Sequence, residues 1–202
     1  MGRLKFPTMR AAVAESIYRI GFERNSDVII GGCYAPVLQN IDDTQWTPNL
    51  IVFNAGQVVR STSFLAQQIF GEHLGNIILN STASNGSFTH QSVRRGEEGD
   101  GKLGNLYFVA SKLLTDEKLI VKFANIDPND IVVQITTHGS MAWASGIASM
   151  VSAGPGVDPK KAQNTFDNPN AVVIKNVAIL TRNGQWNITI PSWSVVVAIV
   201  PL

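Results

Sequence analysis

The imidazole and carboxylate side chains of this 202-residue chain form no recognisable catalytic or metal-binding motif. His73, His90 and His138 are widely separated, and none stands at a two-ligand spacing with a carboxylate or a cysteine. Each lies near glycine or polar residues, so we expect loop histidines, with no metal site and no cofactor. Glu97 and Glu98 are adjacent in a Gly-rich stretch. Because adjacent side chains point apart, they are interpreted as a solvated charge cluster rather than as a catalytic pair.

Neither the cysteine thiol nor the glycine-rich turns indicate a catalytic or binding site. Cys33 is the single cysteine, so no internal disulfide can form. With no histidine near it in the sequence, Cys33 is predicted to be a small, buried, apolar residue rather than a nucleophile. The glycines of residues 99–101 and 154–156 are predicted to form turns, because neither stretch lies between a strand and a helix as a phosphate-binding loop would.

Composition narrows the classes of partner. Sixteen Lys and Arg residues are matched by fifteen Asp and Glu residues and are scattered along the chain, which argues against a nucleic-acid partner. No apolar run approaches the roughly 18 residues that span a membrane, and the N-terminus lacks the apolar core of a signal peptide. The sequons at Asn80, Asn85 and Asn187 are candidate glycosylation sites. A secreted parent protein whose signal peptide lies upstream of Met1 would reconcile these observations.

The first third of the chain has the pattern of an α/β unit. Apolar residues at helical spacing predict a helix over residues 8–20, with Thr8 as its N-cap. Glu15 and Glu23 lie on or near this helix, where a solvated surface or a salt link with Arg19 or Arg24 is expected. Residues 27–32 form a continuously apolar run that predicts a strand buried on both faces. A second helix is predicted to begin at Ser61 or Thr62 and to end between residues 71 and 75.

The rest of the chain is a series of short β-rich runs separated by turn-forming residues. About eight strands without a helix indicate a β-sandwich or jelly roll. The predicted strands are residues 77–80, 105–113, 118–125, 131–137, 145–151, 172–180, 185–190 and 195–200. Asn183-Gly184 predicts a type I′ hairpin turn, and the polar, Gly-rich residues 81–104 predict a long loop.

These patterns divide the chain near residue 75. Residues 1–75 form an α/β piece too small to close a sheet, whereas residues 76–202 are sufficient for a complete sandwich. A single buried strand leaves both rows of its backbone donors and acceptors without partners. The sequence therefore predicts that further strands, upstream of Met1, complete the α/β piece.

Four ordered motifs resemble the eukaryotic α-L-arabinofuranosidases of glycoside hydrolase family 51. They are Gly21-Phe-Glu-Arg-Asn25, Ser26-Asp-Val-Ile-Ile30, Tyr34-Ala-Pro-Val37 and Trp46-Thr-Pro-Asn-Leu-Ile51. Three later segments resemble C-terminal signatures of the same family: Asn105-Leu-Tyr-Phe-Val-Ala-Ser111, Asn164-Thr-Phe-Asp-Asn-Pro169 and Ile190-Pro-Ser-Trp-Ser-Val195. The resemblance covers nearly the whole chain and fades before residue 10 and within residues 81–104.

The resemblance implies a mainly β fold, in which a C-terminal jelly-roll β-sandwich follows the last helix-strand-helix remnant of a (β/α)8 catalytic barrel. It also implies an enzyme that removes terminal α-L-arabinofuranosyl groups from arabinan and arabinoxylan with retention of configuration. Retention requires two carboxyl groups about 5 Å apart. In the family these are the glutamates of an Asn-Glu pair and of a Glu-aromatic pair, and neither pair occurs here. We therefore expect no catalytic residue in this chain and no activity from it alone.

The resemblance also suggests where sugar would be held in the longer enzyme. Ligands of barrel enzymes bind at the C-terminal ends of the strands, which here correspond to Gly32, Cys33 and Tyr34. Tyr34 and Trp46 are therefore the candidate substrate-lining residues, and the alternative is that both pack the loop against the barrel rim. The polysaccharide partner and an extracellular location are expectations for the parent enzyme.

Two further functions remain open for residues 76–202. A carbohydrate-binding module would need a coplanar row of exposed aromatic side chains, and Trp143, Trp186 and Trp193 are the candidates. The other possibility, which we prefer, is a purely structural sandwich that braces the barrel.

Overall fold

The computed structural model describes residues 4–43, 46–84, 89–92, 102–137 and 143–202. The two helices of these residues are α1 (Met9–Arg24) and α2 (Thr62–Gly71). The strands are β1 (Leu38–Asn40), β2 (Ile51–Phe53), β3 (Val58–Arg60), β4 (Ile77–Ile78), β5 (Ser81–Ser84), β6 (Thr89–Ser92), β7 (Lys102–Leu103), β8 (Leu106–Leu113), β9 (Lys118–Asn125), β10 (Ile131–Thr136), β11 (Trp143–Ala153), β12 (Val172–Arg182), β13 (Gln185–Ile190) and β14 (Ser194–Pro201).

Helix α1 forms where its apolar residues recur at helical spacing. Thr8 is its N-cap residue and has extended backbone dihedrals. The buried side chains are Met9, Ala12, Val13, Ser16 and Ile20, which make one stripe along the helix. The helix continues one turn beyond the predicted end, and the Asn25 side-chain amide donates a 2.7 Å hydrogen bond to the Gly21 carbonyl at its C-terminus. The prediction of this helix is confirmed.

Helix α2 begins at the cap that its sequence predicts. The Ser61 hydroxyl accepts a 3.1 Å hydrogen bond from the Phe64 backbone N–H and so satisfies one of the unpaired donors of the first turn. The buried stripe includes Leu65, Ala66, Ile69 and Phe70. The helix ends at Gly71, within the predicted range.

The segment between the helices differs from the prediction. Residues 27–32 contain no strand, and the side chains of Val28 and Ile30 are exposed to solvent. Strand structure needs a neighbouring strand to pair with, and no described residue offers one to this segment. Cys33 is also exposed, contrary to the prediction that it is buried, because it lies in the same unpaired stretch. Later in the segment, β1 pairs in parallel with β2, and β2 forms a hairpin with β3.

All eight strands predicted for the remainder of the chain are present, and the mainly β prediction is confirmed. They belong to a nine-stranded sheet with the order β10-β13-β12-β11-β14-β9-β8-β4, to which β7 adds beside β8. All of its pairs are antiparallel. Asn183 and Gly184 have φ values of 48° and 71°, the positive values that a type I′ turn requires at both positions.

The predicted long loop over residues 81–104 is partly wrong. Strands β5 and β6 pair with each other there in antiparallel fashion, and β7 follows them. His90 consequently lies in a strand rather than in a loop. Glu97, Glu98 and the glycines of residues 99–101 lie outside the described residues.

The long strands alternate between two apolar cores, because successive side chains point to opposite faces of a sheet. The sheet curls so that Trp186, Ile188 and Ile190 of β13 pack against residues of β8 and β9, which forms the inner core. The opposite face of β8, β9 and β14 packs against α1 and α2, which forms the second core. The helix pair and the sheet thus share buried apolar surface, while the domain boundary near residue 75 stays a prediction.

Candidate functional site

A polar seam runs along the contact between α1 and α2. We define it as Glu15, Arg19 and Glu23 of α1, Ser63 and Gln67 of α2, Tyr34 of the intervening loop and Lys122 of β9. The three α1 residues stand four positions apart, so they lie on one side of the helix. The α2 residues have the same spacing. Each helix therefore presents an apolar stripe to the sheet and a polar row to its neighbour.

The N-terminal end of the seam is built around a carboxylate. The Ser63 hydroxyl donates a 3.0 Å hydrogen bond to Glu15 Oε1. The Tyr34 hydroxyl lies beside both Glu15 and Ser63. Burial raises the pKa of the Glu15 carboxyl, an effect that Ser63 and the Arg19 guanidinium oppose. Burial and the Glu15 charge together raise the pKa of Tyr34 to about 12, so the phenol is protonated at neutral pH.

The C-terminal end of the seam is built around a buried lysine. The Lys122 ammonium pairs with Glu23 Oε1 and donates a 3.0 Å hydrogen bond to the Phe70 carbonyl. It also lies 4.8 Å from the centroid of the Phe70 ring. Burial lowers the pKa of Lys122, while Glu23 raises it in part. A cation is favoured here because the last carbonyls of a helix lack partners and carry partial negative charge.

The contacts at the two ends of the seam show how α1 and α2 are oriented relative to each other. Glu15 contacts Ser63 near the start of both helices, and Lys122 contacts Glu23 and Phe70 near the end of both. The helices therefore run in the same direction, as consecutive helices of a βαβ arrangement do. Arg19 lies between the two glutamates and interacts electrostatically with both. Glu23 pairs instead with Lys122, so the salt link with Arg19 or Arg24 stays a prediction, and the seam is partly buried rather than solvated.

Comparison with known proteins identifies the family. Residues 3–194 match the model of the α-L-arabinofuranosidase C-terminal domain. The chain belongs to this family. It is 34% identical over 192 residues to the probable α-L-arabinofuranosidase A of Aspergillus flavus, covering 94% of this chain and 26% of that protein. It is 32% identical over 200 residues to α-L-arabinofuranosidase A of Aspergillus niger, covering 96% of this chain and 27% of that protein.

Solved structures agree with this assignment. An arabinose-bound α-L-arabinofuranosidase of glycoside hydrolase family 51 superposes with a TM-score of 0.80 at 30% identity, covering 99% of this chain and 28% of that chain. The family 51 enzyme of Thermotoga petrophila shares the fold, with a TM-score of 0.71 at 15% identity and coverage of 98% and 39%. The chain thus spans about a quarter of the length of the curated relatives it matches. It corresponds to the C-terminal domain of these proteins.

The two predicted substrate-lining residues of this C-terminal domain have different environments. Tyr34 is half-buried, and its hydroxyl faces the helix pair. Trp46 is 59% exposed, and its carbonyl accepts a 3.0 Å hydrogen bond from the Asn49 side chain. Their assignment to a sugar cleft stays a prediction.

The predicted glycosylation sites are accessible where the structure describes them. Asn80 is exposed just before β5, and Asn187 is exposed on the outer face of β13. Asn85 lies outside the described residues.

Among the described residues, Trp186 and Trp193 do not form the exposed row that a carbohydrate-binding module would need. Trp186 is buried in the inner core because it occupies an inward position of β13. Trp193 is only partly exposed, and the Lys160 ammonium lies 4.8 Å from its ring centroid. The side chain of Trp143 lies outside the described part of the chain.

The histidines assemble no metal site among the described residues. No group of three or more His, Cys, Asp or Glu side chains could hold a metal ion there. His73 follows α2 in a loop, as predicted, and lines an open cavity of about 450 Å³ whose rim includes Glu72, Asp116 and Lys118. Burial lowers the pKa of His73. His138 lies outside the described residues. In the same part of the chain, neither helix combines the length and the apolar character needed to cross a membrane.

The sequence analysis missed Lys122. It lies in the middle of β9 between apolar neighbours, and nothing in the strand pattern indicates that its face is covered by helices. The spacing of Glu15, Arg19 and Glu23 could have signalled a charged row on α1, but not the lysine of β9 that neutralises its end.

Proposed function

We propose that this chain is the supporting part of an α-L-arabinofuranosidase, in which the curled sheet braces the last helices of a catalytic barrel. The whole enzyme would remove terminal α-L-arabinofuranosyl groups from plant cell-wall polysaccharides with retention of configuration. The shared core between the helix pair and the sheet carries this proposal, since it gives the sheet a mechanical role without requiring a ligand.

The carboxylates of the seam are unsuited to retaining hydrolysis. Glu15 and Glu23 are eight residues apart on one helix, which places them about 12 Å apart along its axis. Retention needs a separation of about 5 Å. Glu15 is also bonded to Ser63, and Glu23 is paired with Lys122. Both carboxylates therefore support structure, and the chemistry of the whole enzyme belongs to other residues.

An activity assay tests whether the catalytic residues lie outside this chain. Purified chain should release no p-nitrophenol from p-nitrophenyl α-L-arabinofuranoside above the rate in buffer. The Glu15→Gln and Glu23→Gln variants serve as controls, because they remove the two partly buried carboxylates of the seam individually. Turnover by the chain that either variant abolishes would show that the active site lies within these 202 residues.

A binding assay distinguishes a purely structural role of the sheet from that of a carbohydrate-binding module. Because Trp186 is buried, no aromatic row is available on β13. Titration of the chain with arabinoxylan oligosaccharides at millimolar concentration should give neither heat nor a change in tryptophan fluorescence. Saturable binding that is lost in a Trp193→Ala variant would favour the binding module instead.

Secretion and glycosylation of the parent enzyme are part of the same proposal. The exposure of Asn80 and Asn187 is compatible with glycan attachment. When the chain is expressed behind a signal peptide in a eukaryotic host, its mass should fall on enzymatic deglycosylation. Asn80→Gln and Asn187→Gln variants should each lose one glycan, and an unchanged mass in both would contradict the assignment.

A further inference from the structure

The connection between β11 and β12 is long and contacts the start of both helices. We call it the connector and define it as residues 154–171, the stretch between the two strands. Loops of more than about 12–15 residues without regular structure are uncommon in compact domains and are usually functional when they are ordered. Ala162 and Asn164 lie in the middle of the connector and are only 3% and 2% exposed. The connector is therefore part of the packed domain rather than a surface crossing.

The connector takes the place of a side-chain cap on α1. Among the described residues, Thr8 provides no side-chain cap bond to this helix. The Met9 backbone N–H instead donates a 2.8 Å hydrogen bond to the Ala162 carbonyl. The Arg10 N–H likewise donates a 3.3 Å hydrogen bond to the Lys160 carbonyl. Both N–H groups belong to the first turn, where the helix itself offers them no acceptor, so the backbone of the connector holds the start of α1.

Asn164 attaches the start of α2 to the same connector. Its side-chain amide donates a 3.0 Å hydrogen bond to the Arg60 carbonyl, directly before the Ser61 cap. The same side chain bonds both backbone groups of Val172, the first residue of β12, donating to the C=O at 3.0 Å and accepting from the N–H at 2.8 Å. We call these three hydrogen bonds the joint. Through the joint, one buried side chain links the entry of α2 to the sheet.

Backbone hydrogen bonds continue from the joint into the segment of residues 34–50. The Ser61 N–H donates a 3.1 Å hydrogen bond to the Leu50 carbonyl. The Leu50 N–H in turn donates a 3.4 Å hydrogen bond to the Pro36 carbonyl. Pro36 follows Tyr34, a candidate substrate-lining residue, by two positions. The position of the joint is therefore coupled to that of this segment.

We propose that Asn164 is a positioning residue, through which the connector sets where α2 begins and where the segment of residues 34–50 stands. Because α1 and α2 run in the same direction, the two helix starts that the connector holds lie at the same end of the helix pair. In barrel enzymes, the loops that lead into the helices form the ligand-binding face. The consequence for substrate rests on the proposed function, whereas the joint rests only on contacts within this chain.

Native-state hydrogen exchange of the 202-residue chain tests the joint. In Asn164→Ala, the amides of Leu50 and Ser61 should exchange about fivefold faster through local opening. This factor corresponds to about 1 kcal/mol, the usual net contribution of the one hydrogen bond lost at Arg60.

The matched control is Asn125→Ala. Asn125 is also fully buried, and its side-chain amide also donates to backbone carbonyls, those of Asn129, Ile190 and Pro191. These carbonyls belong to the sheet and its turns. The control should therefore lower the free energy of unfolding while leaving local opening at Leu50 and Ser61 unchanged.

A milder variant tests the connector even if Asn164→Ala does not fold. The ring of Phe166 in the connector packs edge-on against the ring of Phe6, with centroids 5.7 Å apart. Phe166→Leu keeps an apolar side chain but removes this ring pair. Exchange at Met9 and Arg10 should then accelerate by about two- to tenfold, the range expected for such a pair.

A spin label on Cys33 distinguishes positioning from a general effect on stability. Cys33 is the single cysteine of the chain and is exposed, so one nitroxide can be attached next to Tyr34 without another substitution. The electron paramagnetic resonance spectrum should gain a more mobile component in Asn164→Ala and remain unchanged in Asn125→Ala. Both variants lose stability, so stability alone would not produce this difference.

Four results would overturn the proposal. They are unchanged exchange at Leu50 and Ser61 in Asn164→Ala, equal acceleration there in Asn125→Ala, label spectra that do not differ between the two variants, and unchanged exchange at the start of α1 in Phe166→Leu. None of them depends on catalysis. If the joint fails while the chain hydrolyses no arabinofuranoside, the proposed function stands; turnover by a chain with an intact joint would reject the proposed function alone.

Discussion

Replacing Lys122 with methionine should destabilise this chain more than the loss of any exposed charge. The Lys122 side chain is 1% exposed and the Glu23 side chain is 19% exposed, so solvent screens the pair poorly. Methionine keeps most of the length of the side chain but removes the ammonium. The substitution leaves Glu23 without its counter-charge and the Phe70 carbonyl without its donor.

The expected cost is at the lower end of the range for a broken buried pair. Removing one partner of such a pair costs about 3–5 kcal/mol, and the partial exposure of Glu23 favours a value of about 3 kcal/mol. For a chain of this size, 1 kcal/mol shifts Tm by about 2–4 °C, so the Tm of Lys122→Met should fall by about 6–12 °C. The double variant Lys122→Met with Glu23→Met should recover most of this loss, since an apolar pair of similar volume avoids the desolvation cost.

Urea unfolding followed by circular dichroism measures these free energies. The control is Lys118→Met, which breaks a 2.9 Å pair with Asp116 whose partners are 43% and 48% exposed. That pair should contribute less than about 1 kcal/mol. A cost below about 1 kcal/mol for Lys122→Met, or a double variant no more stable than the single one, would refute the reasoning.

The cost of Lys122→Met should also depend on pH. Burial raises the pKa of the Glu23 carboxyl above its ordinary value, and Lys122 opposes this rise. When the pKa of a carboxyl is higher in the folded protein than in the unfolded chain, the free energy of unfolding falls as pH rises from the unfolded pKa through the folded pKa. Removing Lys122 raises the folded pKa further. The cost should therefore be smaller near pH 4.5, the ordinary pKa, than at about pH 7, and the opposite trend would contradict this assignment.

Substitutions at three other positions test the remaining structural claims by the shift in urea midpoint. Asn164→Ala should cost about 2–3 kcal/mol, because the buried Asn164 amide bonds both the N–H and the C=O of Val172; a cost below about 0.5 kcal/mol would be inconsistent. Asn183→Ala should cost about 1 kcal/mol and Asn183→Gly almost nothing, because φ is 48° there; equal costs would exclude backbone strain. Ser61→Ala should cost about 1 kcal/mol by removing the cap of α2, and an unchanged midpoint would show that the cap is dispensable.

The elements stabilised by local patterns could be predicted from sequence. Helix α2 follows from a cap at Ser61 and one apolar stripe, and the β12–β13 turn follows from Asn183-Gly184. The long strands follow from alternation and turn-forming residues. In each case, the residues that determine the element lie close together in the sequence.

The features that depend on distant partners could not be predicted. Residues 27–32 have the composition of a buried strand, but a strand needs neighbours, and the described residues provide none. Cys33 is exposed for the same reason. The burial of Lys122 depends on helices about 50 and 100 residues earlier in the chain, so its own strand gives no sign of the seam.

Whether the sheet braces the helices is tested most directly by comparing their unfolding. Native-state hydrogen exchange should give amides in the middle of α1, α2 and β9 the same free energy of opening, equal to that of global unfolding, because they share one core. Helices that exchange well before β9, with a free energy several kcal/mol lower, would show that the sheet does not hold them and would contradict the account.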